Sequence, residues 1–128
     1  MNASPSHNAH QPTLFVVDDE PMLLELAEAV FSPMGYLVRT YRDPETALKE
    51  FGSLHPDVVI TDYAMGRMNG MDLIRECRRL NPRQKMILLS GTVDEHVFAD
   101  APFKPDQFIT KPYQIQELTE RVRSLIAA

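Results

Sequence analysis

Cysteine is almost missing from this 128-residue chain; Cys77 is the only one. A single cysteine excludes an internal disulfide and a cysteine-rich zinc site, and a reducing cytoplasm is the simplest setting. Basic side chains are in deficit too. Eighteen acidic against thirteen basic residues give a formal charge of −5. That is the wrong sign for a protein whose task is gripping phosphate backbones, so no direct nucleic-acid binding is expected. No apolar run approaches the eighteen or so residues of a membrane span. The N-terminus has neither the basic start nor the apolar stretch of a signal peptide, and no membrane association is expected. Internal repeats and low-complexity segments are also lacking. What remains is one domain's length of chain, able to bury about two thirds of the surface its unfolded form exposes.

Residues 1–11 (MNASPSHNAHQ) carry no apolar periodicity and read as a flexible lead-in, with the domain proper at 12–128. His7 and His10 lie three apart, but a metal site on such a tail would lack an acidic or cysteine partner. Beyond the tail, short apolar runs alternate with helical patterns. Leu14–Val17 reads as a strand buried on both faces, and so do Val58–Ile60 and Met86–Leu89. Tyr36–Tyr41 and the shorter Phe108–Ile109 complete five strands. A helix from about Pro21 presents Leu23, Leu26, Ala27, Val30 and Phe31 on one face, and Met34-Gly35 closes it. Asp43-Pro44 is a start signal for a second helix carrying Ala47, Leu48 and Phe51. A third carries Leu73, Ile74, Cys77 and Leu80 and ends at Asn81-Pro82; the last carries Ile115, Leu118, Val122 and Leu125. Between Ser90 and Phe108 the best helix is about Val93–Ala101, which Pro102 and Pro105 cut short, so it is expected to be brief or irregular. Strands alternating with helices imply an α/β domain, a doubly wound parallel sheet covered on both faces.

The most informative pattern is what ends each buried run. The first strand stops at Asp18-Asp19, the third at Asp62, the fourth at Ser90 and the fifth at Lys111. In a parallel sheet all these ends share one edge, where ligands bind. Singly, each has a plain reading: an Asp after a strand commonly caps a helix, Ser90-Gly91 makes a turn, and Lys111-Pro112 makes a solvated loop. Together they bring three carboxylates, a hydroxyl and an ammonium to one place. Carboxylates about 4 Å apart repel by roughly 1–4 kcal/mol per pair, so a positive partner is required. Lys111 offsets one charge. The remaining donors are hard oxygens, which select Mg2+ (or Mn2+) over zinc. Mg2+ on few carboxylates suits phosphoryl chemistry, in which a carboxylate serves as nucleophile.

From about Gln11 to Leu125 the sequence resembles the receiver domain of bacterial two-component response regulators. The resemblance rests on Asp18-Asp19, Asp62, Ser90 and Lys111-Pro112, each after its strand, and on the stretch Asp62-Tyr-Ala-Met-Gly-Arg-Met-Asn-Gly70. It implies strand order 2-1-3-4-5 and a phosphoryl group passing from a sensor histidine kinase, or a phosphotransfer protein, to Asp62. It further implies Mg2+ on Asp19, Asp62 and the Ala64 backbone carbonyl, with Asp18 acting largely through water. Ser90 and Lys111 would bind phosphoryl oxygens, the Lys111-Pro112 bond would be cis, and Ser90 and Phe108 would form the switch. Such a domain promotes only its own phosphorylation and dephosphorylation and is not an enzyme toward an external substrate. The alternative is a Mg2+-dependent phosphohydrolase acting through an aspartyl phosphate, but Ala64 stands where an Asp-x-Asp motif has its second carboxylate.

Several positions depart from the family pattern. Gly66 replaces the common proline and is expected to loosen its loop. Ala101-Pro102-Phe103-Lys104-Pro105 replaces the usual small-residue turn before the fifth strand, which puts the usual output surface in doubt. Phe108 lacks a hydroxyl and should favour burial more strongly than a tyrosine. Ala64 and Thr92 occupy positions that tune phosphoryl lifetime. The shortened fourth helix resembles receivers attached to hybrid kinases, so the chain is expected to be a stand-alone switch or a piece of a hybrid kinase or multidomain regulator. If it is whole, its output is a protein contact. Arg75, Arg78, Arg79 and Arg83 read as a solvated helix face, and Met65, Met68 and Met71 as loop and core packing. Cys77 reads as inert, and His55 and His96 as loop or helix-surface residues.

Overall fold

Apolar side chains point alternately to opposite faces of a strand, and the first strand shows what that builds. The structure is a computed structural model and describes residues 11–92 and 95–128. In β1 (Thr13–Val17), Leu14 and Val16 enter one core while Phe15 and Val17 enter another. The same division runs through β3 (Val58–Asp62) and β4 (Lys85–Ser90), which are almost wholly buried. With β2 (Leu37–Tyr41) and β5 (Gln107–Thr110) they form one parallel sheet in the order β2-β1-β3-β4-β5. The order that the resemblance implied is the order observed.

Helices α1 (Pro21–Phe31) and α4 (Ile115–Ala127) cover one face with Leu24, Ala27, Phe31, Leu118, Val122 and Leu125. Helices α2 (Pro44–Leu54) and α3 (Gly70–Leu80) cover the other with Ala47, Phe51, Leu73, Ile74 and Cys77. Fully burying a leucine, isoleucine, valine or phenylalanine side chain contributes about 1.5–3 kcal/mol relative to its exposed state, and the alanines less. The helices begin where local chemistry starts them. Pro44 fits the first turn of α2 while the Asp43 carboxylate accepts from the Thr46 amide at 2.8 Å. Asn69 and Asp72 form a reciprocal capping box on α3.

Some expectations are corrected. Leu24, not Leu26, lies in the α1 core contact, and Leu26 and Leu80 are exposed, at 45% and 62%. Both sit at the margin of their apolar stripe, where one step of 100° carries a side chain out to solvent. The fourth crossover is irregular, as expected: among its described residues the regular structure is a four-residue 3-10 turn, Glu95–Phe98. Residues 93–94 of the helix expected there, and the tail with His7 and His10, lie outside the described residues. Arg78 is not part of a solvated face. Its guanidinium donates to the carbonyls of Gln84 at 2.9 Å and Lys104 at 2.7 Å, and to the Asp106 carboxylate at 2.9 Å. Asp106 also accepts from the Met86 amide at 2.7 Å, so the crossover is clasped to α3 and β4. Met65 is buried, and Cys77, at 1% exposure, has a thiol pushed up to about 12 by burial. Among the described residues no helix is long and apolar enough to cross a membrane.

Candidate functional site

Parallel register decides which side chains meet at the carboxyl edge. Val17 pairs with Thr61, so the next residues, Asp18 and Asp62, leave the sheet side by side. Asp62 in turn pairs with Leu89, and Ser90 pairs with Thr110, which brings Lys111 round to the same edge. The pairing continues past the strands: the Asp18 amide donates to Tyr41 at 3.0 Å, and the Lys111 amide to Ser90 at 2.9 Å. Lys111-Pro112 is a cis peptide.

The result is a compact charged group. One carboxylate oxygen each from Asp18, Asp19 and Asp62 lies within 4.8 Å of the others. The Lys111 ammonium stands 3.0 Å from Asp62 Oδ1 and 3.1 Å from Asp18 Oδ2. Asp18 also accepts from the Glu20 amide at 3.0 Å. Asp18 and Asp62 are buried, at 2% and 8% exposure, and burial pushes both carboxyls above the usual Asp range even with Lys111 alongside. Burial alone would lower Lys111, but the hydrogen bond to Asp62 and the charge of Asp18 outweigh it and hold the ammonium above its ordinary value. Ser90 lies at the adjoining strand end, buried at 1%, with its Oγ accepting from the Thr92 amide at 3.2 Å.

Three carboxylates and one ammonium carry a formal charge of −2, which a single divalent cation would cancel. Mg2+ takes oxygen ligands at about 2.0–2.1 Å, and these three oxygens would draw together to hold it. An all-oxygen donor set of this charge fits Mg2+. Ala64, whose carbonyl the resemblance added to that set, is an exposed residue beyond β3.

Local backbone chemistry holds the pocket floor. At Gly70 an added Cβ would stand 2.5 Å from the Asp62 carbonyl oxygen and 2.6 Å from Leu88 Cδ1, so only glycine lets α3 seat against β3. The Gly70 amide donates to the Tyr63 carbonyl at 2.8 Å. Gly66 has φ +57°, a region closed to proline, so in this chain the loop takes a path that the family's proline cannot follow.

Phe108 is half-buried and stacks edge-on against Phe98 with ring centroids 5.4 Å apart. Phe98 also meets Tyr63, the residue after Asp62, at 6.0 Å. This chain of rings escaped the sequence reading because its middle member lies in the irregular crossover. Glu20 escaped as well, although the run Asp18-Asp19-Glu20 was a visible signal; its Oε1 is 3.7 Å from Lys111 Nζ.

Comparison with known proteins agrees with this geometry. Residues 14–123 match the family model of the response regulator receiver domain. The probable transcriptional regulatory protein TcrX of Mycobacterium tuberculosis is 32% identical over 116 residues, covering 89% of this chain and 49% of that protein. The two-component response regulator PhoP of Pseudomonas aeruginosa is 30% identical over 115 residues, covering 88% and 51%. The chain therefore spans about half the length of the curated relatives it matches. Among solved structures, the signal receiver domain of an HD domain-containing protein from Pseudomonas fluorescens superposes with a TM-score of 0.84 at 27% identity, covering 92% of this chain and 96% of that one. The response regulator TrrA of Thermotoga maritima, solved in complex with Mg2+-BeF, gives 0.78 at 33% identity, covering 89% and 98%. With sheet order, acidic edge and family match in agreement, the chain belongs to the receiver domains of two-component response regulators.

Proposed function

We propose that this domain, residues 12–128 behind a short lead-in, is a switch that accepts a phosphoryl group on Asp62 from a histidine kinase or phosphotransfer protein in the cytoplasm. The observation that carries the reading is the Lys111 ammonium bridging Asp62 and Asp18 beside a third carboxylate. In the reaction an Asp62 carboxylate oxygen forms a bond to phosphorus, the bond from phosphorus to the donor's leaving atom breaks, and that atom keeps the electron pair. Asp18, Asp19 and Asp62 would hold Mg2+ (Mn2+ having the same preference for oxygen), with the Ala64 carbonyl completing the set. When bound, the ion neutralises charge on the phosphoryl oxygens. Lys111 supplies a second positive charge to those oxygens, and the Ser90 hydroxyl donates to one of them. Movement of Ser90 and Phe108 then alters a surface read by a downstream protein or an attached domain.

A turnover phosphohydrolase is disfavoured, since Ala64 offers no carboxylate to protonate a leaving group. On this reading the domain catalyses only its own modification and its hydrolysis. The test is acetyl phosphate with Mg2+ followed by intact mass: the parent gains one phosphoryl group and Asp62→Asn gains none. An undiminished adduct on Asp62→Asn overturns the assignment. Mg2+ also stabilises the parent, by about 1.4 kcal/mol per tenfold excess over its dissociation constant, and Asp19→Asn loses most of that shift in thermal melts.

A further inference from the structure

Among the described residues, Glu20 is an acidic side chain beside the site for which the pocket has no evident use. It is the N-cap residue of α1, yet its side chain makes no capping hydrogen bond. Its backbone amide serves Asp18, a task any residue but proline performs. Its carboxylate is outside the three-carboxylate group and 65% exposed, while Asp18 and Asp62 are 3% and 11% exposed at the side chain. It nevertheless stands 3.7 Å from the Lys111 ammonium, which Asp18 and Asp62 already engage. The pocket mouth therefore carries a negative charge beyond the one the ammonium can balance.

We infer that Glu20 is a specificity-determining residue that selects against free, doubly charged phosphodonors in favour of donors presented by a protein. The inference rests on the phosphoryl-accepting reading above. A small acyl phosphate dianion must approach Asp62 past this carboxylate, and it brings no cation of its own to offset the repulsion, while Lys111 is already shared among three carboxylates. A protein donor can place a cation of its own against Glu20 as it docks. Like charges several ångströms apart at an exposed mouth interact weakly but measurably, and the interaction fades as salt shortens the Debye length.

The experiment follows phosphoryl adduct formation by intact mass, with Mg2+, in the parent, Glu20→Gln and Glu20→Asp, using acetyl phosphate (a dianion) and phosphoramidate (a monoanion). At about 0.05 M ionic strength Glu20→Gln reacts with acetyl phosphate about three- to tenfold faster than the parent. The gain is smaller with phosphoramidate, and at about 0.5 M salt it shrinks toward unity. Glu20→Asp, which keeps the charge, stays near the parent. Equal rates for parent and Glu20→Gln overturn the inference while leaving Asp62 as acceptor. A gain of the same size with both donors, indifferent to salt, also overturns it, because Glu20 then acts by restraining Lys111. If the parent takes up no phosphoryl group at all, the underlying reading falls and the inference falls with it.

Discussion

The first three crossovers of the sheet and the fourth solve the same covering problem by different means. α1, α2 and α3 each run eleven residues and lay an apolar stripe on the strands. Among the described residues between β4 and β5 a four-residue turn takes that place. Its cover is local and specific: Phe98 at 4% exposure wedged between Tyr63 and Phe108, with the Arg78 guanidinium holding the Lys104 carbonyl and Asp106. A helix spreads its contribution over several side chains, so no single one is decisive. The turn concentrates it in a ring and a clasp.

That contrast is exposed to direct attack. Phe98→Ala removes the only buried ring of the turn and is expected to cost about 3 kcal/mol in urea unfolding, with the loss centred on the β4–β5 segment in hydrogen exchange. Arg78→Met keeps the aliphatic stem but removes the donors to two carbonyls and leaves the Asp106 carboxylate with only the Met86 amide among these partners. A cost of about 2 kcal/mol is expected, with amide protection lost in the crossover and kept in α1 and α2. The comparison case is Asp43→Ala at the start of α2, worth about 1 kcal/mol at neutral pH by thermal melting. The hydrogen bond from the Thr46 amide holds the Asp43 carboxyl below its ordinary value of 3.8. Its contribution is therefore present above pH 3.8 and lost as pH falls through the lower folded value, so parent and variant converge in acid. A Phe98 or Arg78 variant no worse than Asp43→Ala would remove the distinction between the crossovers.

The sheet and its charged edge were legible because both are written in local patterns. Short apolar runs gave the strands, Asp43-Pro44 gave a helix start, and the polar residue after each run gave the edge. Parallel register then did the rest, since it forces successive strand ends into one row. Features built from partners distant in the chain were not legible. Arg78 binds backbone carbonyls 6 and 26 residues away, and a carbonyl has no residue-type signature. Counted with Arg75, Arg79 and Arg83, it passed for solvated charge. Leu26 and Leu80 were misplaced because periodicity sets the centre of a stripe better than its margins. The positive φ at Gly66 was not legible either, because glycine is compatible with both signs of φ.

The seat of α3 has a mechanical consequence. With no room for one added carbon between Gly70 and the Asp62 carbonyl, α3 and β3 form a fixed anvil. On the proposed reading, a phosphoryl charge added at Asp62 would find no give on that side, and Ser90 and the stacked rings on the opposite flank are the part that would move.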